Sequence, residues 1–107
     1  METVAFHITL KSRRGRTYKA LHDPVPPEVF RQLGKAGIQN FSIFLDGDHV
    51  FGVFEYKSEK LIQKHLSKDA HPKWTKEVIN ICKIRELDPD LPLLKRLERV
   101  FKFEGTK

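Results

Sequence analysis

The stretch from Ile38 to Tyr56, IQNFSIFLDGDHVFGVFEY, decides the fold. Two aromatic-rich runs, 38–45 and 49–56, flank Asp46-Gly47-Asp48, and an Asp-Gly pair between such runs is a strong signal for a tight β-hairpin. Successive side chains of a strand point to opposite faces. Phe41, Ile43 and Leu45 therefore point one way and Phe44 the other, while Phe51 and Val53 oppose Phe54 and Tyr56. A hairpin that is apolar on both faces needs cover on both: helices over one side and something else over the other.

Working outward, Val4, Phe6, Ile8 and Leu10 alternate with Ala5, His7, Thr9 and Lys11, the period of a half-buried first strand. Ser12 is the expected N-cap of a short basic helix that runs to about His22, although Gly15 weakens it. The prolines of His22-Asp23-Pro24-Val25-Pro26-Pro27 break that helix, and Pro27 can open a second one carrying Val29, Phe30, Leu33 and Ala36 on one face, with Gly37 at its end. After the hairpin, Ser58 can cap a helix bearing Leu61, Ile62, His65 and Leu66. Pro72 can start another, with Trp74, Val78 and Ile81 in a stripe widened by Ile79 and Cys82. A second proline-broken segment, Asp88 to Pro92, then leads to a last strand in which Leu97, Arg99, Phe101 and Phe103 alternate with Glu98, Val100, Lys102 and Glu104.

The order strand, helices, hairpin, helices, strand predicts an α+β domain over residues 1–107 on the ferredoxin-like, split βαβ plan. The apolar sheet face left over predicts a homodimer, two copies pairing face to face to close a barrel-like core.

At 107 residues, with 39% apolar and 32% charged residues, the chain suits one folded domain and not a disordered segment. Twenty Lys and Arg against fourteen Asp and Glu give +6 and an isoelectric point near 9.6, which attracts anions in general. A single cysteine, Cys82, makes no internal disulfide and points to a reducing compartment, so a cytoplasmic location is expected. No apolar run approaches the ~20 residues that span a bilayer, and the chain opens into an alternating segment instead of a signal peptide, so no membrane partner is expected. His7, His49, His65 and His71 are scattered without the spacing of zinc ligands, and neither a glycine-rich phosphate loop nor a Gly-x-Ser-x-Gly elbow occurs. Neither a metal nor a cofactor is expected.

Tyr18 and His22 stand four apart, so on a helix they share a face. An imidazole titrates near neutrality and can both give and take a proton, and a phenol beside it can orient an oxygen by hydrogen bond. On spacing alone a helix supplies such a pair often, and a surface aromatic beside a helix-terminal histidine is the blander reading. Trp74 is similarly open between a core aromatic and a platform for the C–H face of a sugar.

Tyr18 to Glu28, with Tyr-x-x-x-His-x-Pro-x-x-Pro-Glu, resembles the corresponding stretch of the L-rhamnose mutarotase family. Ala36 to Asp46 resembles the family's Gly-x-x-Asn-Tyr-x-Ile-Tyr-Leu-Asp strand, Phe51 to Glu55 the strand after it, and Lys73-Trp74-Thr75 falls where the family has a tryptophan pair. The resemblance runs nearly without gaps from Ala5 to Val100. It implies a cofactor-free aldose 1-epimerase on a dimeric α/β-barrel fold, interconverting the α and β anomers of a 6-deoxy sugar such as L-rhamnose. It further implies His22 as proton donor and Tyr18, Phe41, Trp74 and Thr75 as substrate-binding residues. Phe41 stands in place of a tyrosine and Thr75 in place of the second tryptophan, so L-fucose or another 6-deoxy sugar is as admissible as L-rhamnose. Glu55, near the family's strand carboxylate, is a further candidate for a sugar hydroxyl.

Two other readings compete. A ligand-binding barrel module would keep the fold and discard the catalysis. An RNA-binding domain would use the cluster Lys11, Arg13, Arg14, Arg16 and Lys19 with the aromatic strand His49 to Tyr56. That strand has His49-Val50 in place of a Lys/Arg-Gly opening and Val53 where a second stacking aromatic belongs, so nucleic acid is disfavoured as a partner. The local effect expected of the cluster is that Lys19 and Arg16 depress the proton affinity of His22.

Overall fold

In a computed structural model of the chain, which describes residues 1–83 and 95–105, the alternating first segment forms strand β1 (Glu2–Thr9). Val4, Phe6 and Ile8 are buried on one side of it, as their spacing predicts, and Leu10 continues the row just beyond. Helices α1 (Gly15–Leu21) and α2 (Pro27–Lys35) follow, then the hairpin strands β2 (Gln39–Asp46) and β3 (His49–Tyr56), helices α3 (Glu59–Leu66) and α4 (Pro72–Asn80), and a short strand β4 (Lys95–Arg96). The sheet is antiparallel with order β2-β3-β1-β4, the ferredoxin-like arrangement expected from the element order.

The helices cover one face of the sheet. Phe6, Phe54, Tyr56 and Val50 from that face pack with Tyr18, Ile62, Val78 and Cys82 into the core. β1 and β3 touch closely there, since a Cβ at Gly52 would lie 2.0 Å from the Phe6 ring. On the opposite face, register sets His7 against Phe51, Phe44 against Phe51 and Ala5 against Val53. Phe44 keeps 62% and Phe51 42% of its surface exposed there.

Three expectations need correction or limitation. α1 is not capped by Ser12. Its first turn is held from the hairpin, whose Asp48 carboxylate accepts the backbone N–H groups of Arg13 (2.9 Å), Arg14 (3.0 Å) and Gly15 (3.3 Å). These are amides that a helix start leaves without internal partners, and a carboxylate 33 residues away in sequence meets them better than a hydroxyl three residues upstream. The three amides hold the Asp48 carboxyl below its ordinary range. Gly15 is required at this junction, because a Cβ there would stand 2.2 Å from the Gly47 carbonyl oxygen.

The alternating run from Leu97 to Glu104 is not the last strand: β4 is the pair Lys95–Arg96 just ahead of it. Leu97 still donates its N–H to Ala5 (2.8 Å), but the backbone of 98–105 leaves the sheet, with Val100 89% and Phe101 79% exposed. β1 still has Glu2–Val4 free on that edge, but among the described residues no second layer faces the side chains of 98–105, so packing does not hold them on the sheet. The proline-broken segment at 88–92 lies outside the described residues.

The other helix signals hold. Ser58 Oγ accepts the N–H of Leu61 at the start of α3, and Pro27 and Pro72 occupy first turns. The imidazole of His71 caps α4, its Nδ1 accepting the N–H of Trp74 at 3.0 Å.

Candidate active site

Between the helix-covered face of the sheet and the helices lies a cleft of about 530 Å³. Its walls are mostly apolar, with Phe6, Phe41 and Phe54 from the sheet and Val29, Phe30 and Leu33 from α2 among them. Few polar side chains reach it, the usual character of a small-molecule site. Tyr18, His22, Phe41, Trp74 and Thr75, the five residues singled out from the sequence, all line it.

α1 brings Tyr18 and His22 together through their four-residue spacing. Their rings stack at 4.2 Å between centroids with 25° between planes. His22 occupies the C-terminal cap of α1, and its Nδ1 lies 2.7 Å from the Tyr18 carbonyl oxygen. A carbonyl only accepts, so Nδ1 carries a hydrogen, and in the neutral ring Nε2 keeps its lone pair. Burial favours that neutral ring and lowers the pKa of His22 below the ordinary histidine value, against a smaller opposing effect of the bond to Tyr18. The cause is therefore burial, and the expected influence of Lys19 and Arg16 is not what sets it: α1 turns the His22 ring inward, beneath the surface on which those cations sit. Burial also pushes the Tyr18 phenol up, so it keeps its proton and serves as a neutral hydrogen-bonding group.

α4 supplies the opposite wall. The indole of Trp74 meets His22 edge-on, with 5.2 Å between centroids, and donates its Nε1–H to the Leu21 carbonyl at 2.6 Å. That carbonyl is among those the end of α1 leaves without a helical partner, so the bond fixes α4 to the residue preceding His22. With its N–H engaged, the indole offers the cleft an apolar surface. Phe41 sits on the sheet side, edge-to-face with Phe6 (5.9 Å, 87°) and tilted against Phe54 (5.3 Å). Having no hydroxyl, it adds only surface. The Thr75 hydroxyl donates to Asp69 Oδ1 at 2.8 Å.

Glu55 does not join this group. Register places it on the bare face beside Thr3, where its Oε1 is 2.6 Å from the Asn40 amide nitrogen. Four further polar side chains line the cleft: Gln32, Ser67, Lys68 and Asp69. The Gln32 amide nitrogen donates to the carbonyls of His65 and Lys68, tying α2 to the turn after α3. Asp69 carries a legible signal, since its carboxylate accepts the N–H of His71 (3.0 Å) in the short turn that an Asp ahead of a helix-opening proline favours. Among the described residues no group of three metal-ligating side chains occurs.

The model of the L-rhamnose mutarotase family matches residues 3–103. An L-rhamnose mutarotase of Burkholderia cenocepacia (strain HI2424) is 32% identical, the match covering 97% of this chain and 100% of that protein. One of Sinorhizobium medicae (strain WSM419) is 34% identical over 94% and 97% of the two chains. Among solved structures, the L-rhamnose mutarotase of Formosa agariphila superposes with a TM-score of 0.68 at 26% identity, covering 97% of this chain and all of that one. The tetracenomycin F2 cyclase of Streptomyces glaucescens shares the fold, with a TM-score of 0.64 at 11% identity over 99% of this chain and all of the cyclase.

Proposed function

The chain belongs to the L-rhamnose mutarotase family, isomerases that act on carbohydrates, and from that premise we propose that it interconverts the α and β anomers of L-rhamnose through His22. The observation that carries this reading is the anchored, half-buried imidazole. Its Nδ1–H is committed to the Tyr18 carbonyl, which leaves Nε2 as a base at neutral pH within a cleft large enough to admit a sugar.

Mutarotation removes the proton of the anomeric hydroxyl, gives one to the ring oxygen, lets the opened aldehyde turn about C1–C2, and closes the ring on the other face of the carbonyl. Neutral His22 takes the anomeric proton at Nε2 while water gives the ring oxygen its proton. On closure the ring hydroxyl returns its proton to water, and the imidazolium, now the proton donor of the family pattern, reprotonates the new anomeric oxygen. Proton transfer by a positioned side chain contributes ~10²–10⁴-fold. Tyr18 orients a sugar oxygen from the ring stacked on His22, Trp74 and Phe41 receive C–H faces, and Thr75 contacts a hydroxyl.

The apolar walls suit a sugar that carries a methyl group in place of its terminal hydroxymethyl, so L-fucose is a second substrate to test. The activity resides in a single domain over residues 1–107, without a cofactor. The exposed Phe44 and Phe51, together with Leu97, Val100 and Phe101 of the tail, support a homodimer formed through the bare sheet face. Among the described residues no helix is long and apolar enough to cross a membrane, and the cysteine is free and buried, which fits a cytoplasmic enzyme.

Saturation-transfer NMR on equilibrated L-rhamnose and L-fucose tests the reading. Exchange between anomers above the spontaneous rate, lost in His22→Ala, is expected, and a spontaneous rate with every aldose tried would refute it.

A further inference from the structure

Resting on the reading of the cleft as a sugar site, we propose that Asp69 is a specificity-determining residue that accepts a hydrogen bond from a substrate hydroxyl, beside a Thr75 oxygen restricted to the same acceptor role. Asp69 lies at the exposed mouth of the cleft, in the turn between α3 and α4. Its Oδ1 is already occupied, accepting the His71 N–H at 3.0 Å and the Thr75 hydroxyl at 2.8 Å. Among the described residues its Oδ2 has no hydrogen-bond donor.

The bond from Thr75 has a second effect. A threonine hydroxyl has one hydrogen, and here it is spent on the carboxylate, so what Thr75 shows a ligand is lone pairs. The same holds across the cleft at Gln32, whose amide nitrogen serves the carbonyls of His65 and Lys68 and whose Oε1 remains an acceptor. Asp69, Thr75 and Gln32 thus form a set of acceptors on a cleft whose walls are mostly apolar. Its complement is a ligand rich in hydroxyl donors, and a carboxylate such as that of Asp69 is the strongest acceptor type of the three. Where the family pattern has a second tryptophan, this chain substitutes a hydroxyl whose direction Asp69 fixes, which moves selectivity from stacking to hydrogen bonding.

Asp69→Asn tests the assignment with little change of shape. The amide oxygen can still take the His71 and Thr75 bonds, while the free acceptor becomes an NH2 donor. With L-rhamnose, KM should rise about tenfold, the effect of removing a hydrogen bond to a charged acceptor, with kcat within about twofold and the pH profile unmoved. Thr75→Val should raise KM as well, because the second acceptor is gone. A merely structural role for Asp69 would not depend on the ligand, so KM is also measured for a series of monodeoxy analogues of L-rhamnose. The analogue lacking the hydroxyl that Asp69 receives should show the same KM with the wild-type and the Asn protein. An unchanged KM in D69N, a fall in kcat with KM constant, or an equal penalty with every analogue would overturn the assignment while leaving mutarotation by His22 standing. Absence of exchange in the wild-type protein would instead refute the sugar site and the assignment with it.

Discussion

The two faces of one sheet differ more than their sequences do. β1 and β3 give Phe6, Ile8, Phe54 and Tyr56 to one side and Ala5, His7, Phe51 and Val53 to the other, so both sides are apolar or aromatic. On the helix side the aromatics are buried and enclose a cleft, while on the bare side Phe44 and Phe51 stand open. Hydrophobic alternation reports that a surface is to be covered, and it is silent on whether the cover comes from the same chain. The helices answer the question for one face. The other face is left open by the described residues, and the proposed homodimer would cover it with a second copy.

Breaking the helix-side face at its chemistry should have the largest effect. His22→Ala should lower the exchange rate by ~10²–10⁴-fold without unfolding the protein, measured by saturation transfer beside far-UV circular dichroism. Retained activity would move the catalytic role elsewhere. On the bare face, Phe44→Asp should weaken self-association by about two orders of magnitude, the scale of a central aromatic contact, and leave each protomer's cleft intact. Sedimentation velocity would show it as a shift to monomer, and a variant that assembles like the wild type would place the contact elsewhere.

Gly52→Ala probes the backbone between the faces. Its new methyl would meet the Phe6 ring, with overpacking at a cost of ~1–3 kcal/mol in denaturant unfolding. Trp74→Phe should be milder, about 1 kcal/mol, since it removes the bond to Leu21 but keeps most of the aromatic volume.

The smallest effect separates the faces by pH. His22 in the cleft and His7 on the bare face both have lowered pKa values, His22 through burial, and His7 through burial together with the nearby His49 and Lys95. A histidine whose folded pKa lies below its unfolded value of about 6.5 binds fewer protons folded than unfolded. Its stabilisation is therefore complete above about pH 6.5 and declines as the pH falls through the window below it. Melting temperature should drop between pH 7 and pH 5, and His7→Gln and His22→Gln should each flatten part of that slope. Activity should fall over the same acid limb only through His22, whose neutral Nε2 is the base.

Much of this was legible in the sequence because its causes are local. Alternation in β1, the Asp-Gly turn, the caps at Ser58 and the first-turn prolines 27 and 72 each act within a few residues, and each element formed where expected. Tyr18 and His22 meet because helical geometry puts residues four apart on one face. The misses have long-range causes. Ser12 has the chemistry and position of a cap, but the acceptor that holds α1 is Asp48, brought there by the hairpin. The tail at 97–103 has a strand's alternation, but among the described residues nothing covers its apolar side chains. Asp69 has a turn signal ahead of Pro72, but its bond to Thr75, one helical turn beyond the cap, is a relation that spacing alone does not reveal.

The Asp48 contact carries a consequence for how this protein tolerates change. A hairpin turn at the surface is ordinarily where chains accept insertions and tags. Here Asp48 grips the start of α1, and the Gly47 carbonyl lies where a Cβ on Gly15 would have to be. Lengthening the turn by even one residue would release the helix that carries Tyr18 and His22, so this exposed corner is a poor site for a fusion or loop graft.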